Sequence, residues 1–170
     1  KDLNKSKVKI AQKKLKNINS KTRVDIFNLK LNKKNFEKII KKYDYIVDGT
    51  DNFTTKFLIN DLSLKYKKFL VTGAISKFDG HIFTFNFNNK HDPCLRCFYQ
   101  EKNISDDILN CEYEGILGTV AGTVGTIQAN EVLKKILNVG QNLNGFILII
   151  DLLNLNFRKV KLNKRKKCEC

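Results

Sequence analysis

The chain has 170 residues, 42% of them hydrophobic and 29% charged, and 32 basic against 17 acidic residues leave a formal net charge of +15. A chain of this length buries roughly 70% of its unfolded surface and can build one globular domain without disulfides. No apolar run reaches the ~18 residues of a spanning helix, and Lys1-Asp2-Leu3-Asn4 lacks the apolar core of a secretory signal, which excludes membrane helices and points to an intracellular, cytoplasmic setting.

In chain order, Val8, Ala11, Leu15 and Ile18 recur at three- and four-residue spacing, which predicts an amphipathic helix over 7–18. Val24, Ile26 and Leu29 suit a short strand, and Phe36, Ile39 and Ile40 mark a second helix. Tyr43 to Asp48 reads as a buried strand. Thr50-Asp51-Asn52 then punctuates the chain and can cap a helix carrying Phe57, Leu58, Leu62 and Leu64, before an apolar strand at Phe69-Leu70-Val71. This β-α-β alternation predicts a parallel sheet. From His81 to Phe87 apolar and polar residues alternate, as in a half-exposed antiparallel strand, so the sheet becomes mixed. A long polar stretch over 88–115 reads as a functional loop. Gly118 to Leu137 reads as a helix, and Gly145 to Ile150 and Phe157 to Leu162 as closing strands. The predicted class is α/β, a Rossmann-like mixed sheet flanked by helices, within one domain over 1–170.

Two features carry chemistry. Four of the five cysteines fall in close pairs, Cys94/Cys97 and Cys168/Cys170, with Cys111 alone between them. In a chain without a secretory signal such pairing suggests a tetrahedral zinc site and a reducing compartment. The second feature is Asp48-Gly49-Thr50-Asp51-Asn52, at the end of a strand and the start of a helix, the edge where open α/β sheets bind ligands. There Asp51 is a candidate magnesium ligand beside a helix N-terminus that favours anions, although the same residues can serve simply as a helix cap. The basic excess suits an acidic partner or anionic ligand. Nucleic acid is not the preferred reading, because aromatic residues do not interleave with the lysines as a base-stacking surface requires.

The series Asp44 to Phe53, Leu58-Ile59-Asn60-Asp61, Gly73-Ala74, Gly80, Cys94-Leu95-Arg96-Cys97, Cys111, Gly115 to Gly118 and Gln128-Ala129-Asn130-Glu131 resembles the ThiF and MoeB family over nearly the whole chain. These are relatives of ubiquitin-activating enzymes, and the resemblance implies ATP-dependent adenylation of the C-terminal glycine of a ubiquitin-like sulfur carrier protein. It implies that Lys7 contacts ATP phosphate, that Asp51 binds the nucleotide's Mg2+, and that Asn52 is a neighbouring nucleotide contact. Cys94, Cys97, Cys168 and Cys170 would hold Zn2+. The family's usual C-terminal Cys-x-x-Cys is replaced by Cys168-Glu169-Cys170, which leaves the fourth ligand open. Cys111 matches a position proposed to hold the carrier covalently, an attack suited to a thiolate, although Glu112 and Glu114 would raise its pKa. The family forms homodimers. It also begins with a Gly-x-Gly-x-x-Gly phosphate loop and an arginine that have no counterpart here, so the chain reads as the C-terminal two-thirds of an adenylation domain. The alternative reading is a catalytically incomplete, zinc-stabilised module that binds a ubiquitin-like protein.

Overall fold

The computed structural model describes residues 2–100 and 115–168, which fall into two compact units, Lys1–Leu31 and Asn32–Cys170.

The first unit holds α1 (Lys7–Ile18), at the bounds its apolar spacing predicts. The strand expected over Val24, Ile26 and Leu29 is not formed. Its residues have strand propensity, but a strand exists only when a neighbour takes up its ladder, and no ladder partner is present among the described residues. Local side chains bond this segment instead: Gln12 Nε2 donates to the Val24 carbonyl at 2.7 Å, and Arg23 pairs with Asp25 at 3.1 Å.

The second unit begins with α2 (Lys33–Ile40), closed at its start by a reciprocal cap. Asn32 Oδ1 accepts from Asn35 N–H at 3.0 Å, and Asn35 Oδ1 accepts from Asn32 N–H at 2.9 Å. There follow β1 (Tyr45–Asp48), α3 (Phe53–Lys65), β2 (Phe69–Ser76), β3 (Asp79–Phe85), a single-turn α4 (Leu95–Phe98), α5 (Gly118–Leu137), β4 (Phe146–Asp151) and β5 (Asn156–Lys161). The strands lie side by side in chain order. β1 and β2 are parallel, joined through α3, and the other three pairings are antiparallel. This is the mixed sheet the sequence predicts.

α5 covers one face of the sheet, where Val124 packs with Phe69, Val71, Ile82 and Ile150. α3 and α4 lie on the other face, where Phe53, Phe83, Phe98 and Tyr99 form a chain of edge-on ring contacts. Two expectations of burial need correcting. β1 is an edge strand with Val47 exposed, because it has a neighbour on one side only among the described residues. β3 is covered on both faces, so Ile82, Phe83, Thr84 and Phe85 are all buried despite their alternation. In α5 the buried face carries Gln128 and Glu131 while Leu133 and Ile136 are exposed.

The buried carboxylate of Glu131 is fully engaged. It accepts from Thr84 Oγ1 at 2.9 Å and from the Leu143 N–H at 2.8 Å, and it is paired with Lys134. Burial pushes its pKa up, but these bonds outweigh burial and hold it below the ordinary value. One carboxylate thereby ties α5 to β3 and to the turn before β4. No described helix is long and apolar enough to cross a membrane.

Candidate functional site

The carboxyl ends of β1 and β2 meet at a buried polar cluster. Strand alternation turns Asp48 toward the α3 face, opposite Thr72 in the parallel register, and both are buried. Asp48 Oδ2 accepts from the Thr72 hydroxyl and from Lys56 Nζ at 3.1 Å. Asp48 Oδ1 accepts from the Thr50 N–H at 2.8 Å and the Thr50 hydroxyl at 2.7 Å. Lys56 Nζ also donates to the Gly73 carbonyl. From the opposite face, Gln128 Nε2 donates to the Asp48 carbonyl at 2.8 Å. Both carboxylate oxygens of Asp48 are thereby supplied with donors, and the turn between β1 and α3 is fixed from both sides.

That turn carries Asp51 and Asn52. Asn52 is the N-cap of α3, its Oδ1 accepting from the Thr55 N–H at 2.8 Å, and its Nδ2 donates to Asp51 Oδ1 at 3.2 Å. The capping reading of Asn52 is therefore realised, and through its amide Asn52 also orients its neighbour. Asp51 is exposed and lines a cavity of about 270 Å³ together with Gly49, Thr50, Lys56, Gly73 and Gly125. An anionic oxygen beside the positive end of α3 can hold a divalent cation and admit a phosphate at the same place.

A second cavity of about 210 Å³ shares Ala74 and Ile75 with the first and is walled by Phe53, Gly80, His81 and Tyr99. His81 Nδ1 and the Tyr99 hydroxyl are 2.9 Å apart. Burial lowers the His81 pKa, an effect opposed in part by Asp79, and burial raises that of Tyr99.

The cysteines converge as their pairing predicts. Cys94 caps α4 and Cys97 follows one turn on. Their sulfurs are 4.0 Å apart and lie 3.6 and 3.4 Å from that of Cys168. These spacings are far longer than a disulfide bond of about 2.05 Å. They bracket the edge of about 3.8 Å that a tetrahedron with zinc–sulfur bonds near 2.3 Å requires, so three thiolates fit a shared metal ion. The turn that holds them is fastened to α3. Asn60 Oδ1 accepts from the Leu95 N–H at 2.9 Å, and Arg96 grips Asp61 with two bonds of 2.9 and 2.8 Å while lying 4.4 Å over the Phe57 ring.

Cys111 and Cys170 lie outside the described residues. Lys7 is exposed at the start of α1 in the first unit, whereas Asp51, Asn52 and the three described cysteines belong to the second. The sequence reading passed over Lys56, whose side chain is 1% exposed. Periodicity gave no signal for it: α3 also carries Asp61 and the exposed Lys65, so a lysine in this helix reads as a surface residue until the fold brings Asp48 and Gly73 to it.

The ThiF family model matches residues 1–170. The chain is 34% identical to a sulfur carrier protein adenylyltransferase of Thermus thermophilus, over 98% of this chain and 63% of that one. It is 38% identical to a probable molybdopterin-synthase adenylyltransferase of Pyropia yezoensis, over 97% of this chain and 43% of that one. The chain thus spans less than two thirds of the curated relatives it matches. The fold resembles that of E. coli MccB crystallised with ATP, with a TM-score of 0.80 at 15% identity, over 99% of this chain and 51% of that one. A family match along every residue, relatives at a third identity or better, and the same mixed sheet in a solved neighbour establish that the chain belongs to the ThiF family.

Proposed function

We propose that this chain carries out the adenylation of the C-terminal carboxylate of a ubiquitin-like sulfur carrier protein. The observation that carries the reading is Asp51, an exposed carboxylate held at the α3 N-terminus in a cavity at the parallel strand edge, in a chain whose relatives are named adenylyltransferases. The substrate carboxylate attacks the α-phosphorus of ATP, one new phosphorus–oxygen bond forms, and the bond to pyrophosphate breaks. Such a reaction asks for positioning and charge stabilisation rather than a strong base. Asp51 would hold Mg2+, which supplies positive charge against the phosphates. Asn52 orients Asp51 through its Nδ2, the α3 dipole favours the phosphate oxygens, and Lys7 contacts the triphosphate.

Cys94, Cys97, Cys168 and Cys170 would bind Zn2+ as a structural ion, since Cys94 and Cys97 are buried in a turn fastened to α3 and none of the three described cysteines lines the Asp51 cavity. The thiolate of Cys111 would take the acyl group from the adenylate: a carbon–sulfur bond forms, the carbon–oxygen bond to AMP breaks, and AMP leaves with the electron pair. The working form is a homodimer in a reducing cytoplasmic compartment, and the net charge of +15 draws in an acidic carrier.

The test is carrier-dependent exchange of pyrophosphate into ATP by the wild type and by Asp51→Asn. Loss of roughly 10²-fold or more in the variant is expected. Equal exchange in the two would remove Asp51 from the site. Carrier binding with no exchange in the wild type would favour the zinc-stabilised binding module.

A further inference from the structure

Lys56 has no part in the reaction as set out above, yet its placement is costly. It lies in the first turn of α3, where the helix's positive end opposes a cation, and it is 1% exposed. A buried ion pair is generally no more stable than apolar side chains of the same volume, so a charge retained here points to use. Its two bonds go to β1 and β2, the two strands whose ends frame the Asp51 cavity. One reaches Asp48 Oδ2 at 3.1 Å, and Asp48 Oδ1 in turn holds both the N–H and the hydroxyl of Thr50, the residue before Asp51. The other reaches the carbonyl of Gly73 on β2, whose neighbours Ala74 and Ile75 also line the cavity. An ammonium group has three N–H donors, and among the described residues no third acceptor is bonded to Nζ.

We propose that Lys56 is a positioning residue of the nucleotide site: its ammonium group ties the turn that bears Asp51 to the β2 wall and so presents the Asp51 carboxylate to a divalent cation on the ligand's phosphates. Lys56 acts through Asp48 and Thr50, not by touching the substrate. The assignment rests on the reading of this cavity as an ATP site.

The test measures ATP affinity of the full chain by titration calorimetry with and without Mg2+, in the wild type, Lys56→Arg and the double variant D48N/K56M. The double variant removes both charges together, leaving neither one buried alone, and Asn at position 48 still accepts from Thr50. Melting curves and bound zinc report the fold. The expected result is a folded, zinc-bearing double variant whose gain in ATP affinity on adding Mg2+ falls by about tenfold or more, as for removal of a group that orients a metal ligand. K56R, which keeps the charge and the N–H donors, recovers most of that gain. A folded double variant with the full Mg2+ gain overturns the proposal. Wild type that binds no ATP overturns the nucleotide-site reading itself, and the proposal with it. Thr50→Val cuts the hydroxyl link downstream of Lys56 and guards against misfolding of the double variant: it too loses Mg2+ gain on this account, and an undiminished gain overturns it.

Discussion

Gly73→Ala probes the packing that brings α5 onto the site. A Cβ at this position would lie 2.8 Å from Gln128 Oε1, 2.9 Å from its Cδ and 3.0 Å from Val124 Cγ1. Gln128 cannot swing aside without loss, because its Nε2 donates to the Asp48 carbonyl at 2.8 Å and both residues are buried. Either α5 lifts from β2, an overpacking cost of about 1–3 kcal/mol, or Gln128 gives up its bond and leaves a buried carbonyl unpaired, at about 1–3 kcal/mol. Exchanging glycine for alanine within a strand returns about 0.5–1 kcal/mol of backbone entropy. The net loss lies between about 0 and 2.5 kcal/mol, a fall in melting temperature of up to roughly 10 °C for a domain of this size. Thermal melts of G73A, Q128A and the double variant, all with zinc bound, supply a cycle. The clash predicts that Q128A relieves G73A, with a coupling of about 0.5–1 kcal/mol or more. Strictly additive effects, or G73A more stable than the wild type, would refute the reasoning.

Three further outcomes follow from other parts of the molecule. Cys97→Ser removes one of the three described thiolates and is expected to abolish bound zinc in native mass spectrometry and to lower the melting temperature, as chelation of the wild type should; undiminished zinc would show that the thiols are not the site. Glu37 is held down to about 2 by hydrogen bonds from Lys65 and Tyr66, so its stabilising effect is complete above the ordinary value of 4.5 and is lost as pH falls toward 2. Denaturation midpoints of the wild type and Glu37→Gln should therefore differ at neutral pH and converge in acid; a constant difference sinks this assignment. His81 behaves differently. Burial depresses its pKa below 6.5, the unfolded chain takes up a proton first, and folded stability declines as pH drops through 6.5. His81→Asn should flatten that decline between pH 7 and 5, and an identical slope in the variant would assign it elsewhere.

The α1 and α5 boundaries were legible because long helices write their periodicity directly: the apolar spacing over 7–18 and 118–137 meets the observed ends. Close pairing foretold that Cys94 and Cys97 would meet Cys168, 74 and 71 positions further along the chain, since closely paired thiols in such a chain suggest metal ligands. What periodicity could not convey is the neighbour. Val24, Ile26 and Leu29 have the composition of a strand but no described ladder partner, and Val47 is apolar yet faces outward on an edge. The alternation of His81 to Phe87 predicts one wet face, but α5 and the aromatic cluster cover both. Polar core residues were the least legible. Lys56, Gln128 and Glu131 look like surface residues until their partners, 8, 80 and 47 positions away in Asp48 and Thr84, are brought to them by the fold.

The central claim is that an acyl adenylate forms on a carrier's C-terminal carboxylate. The most direct measurement is intact-mass spectrometry of an acidic, ubiquitin-like sulfur carrier ending in glycine after incubation with this protein, ATP and Mg2+, quenched in acid to preserve the mixed anhydride. The account predicts a carrier species heavier by one adenylyl group, formed with release of pyrophosphate, absent with Asp51→Asn and absent when the terminal carboxylate is amidated. A carrier that stays unmodified while bound to the protein, with ATP left intact, would contradict it.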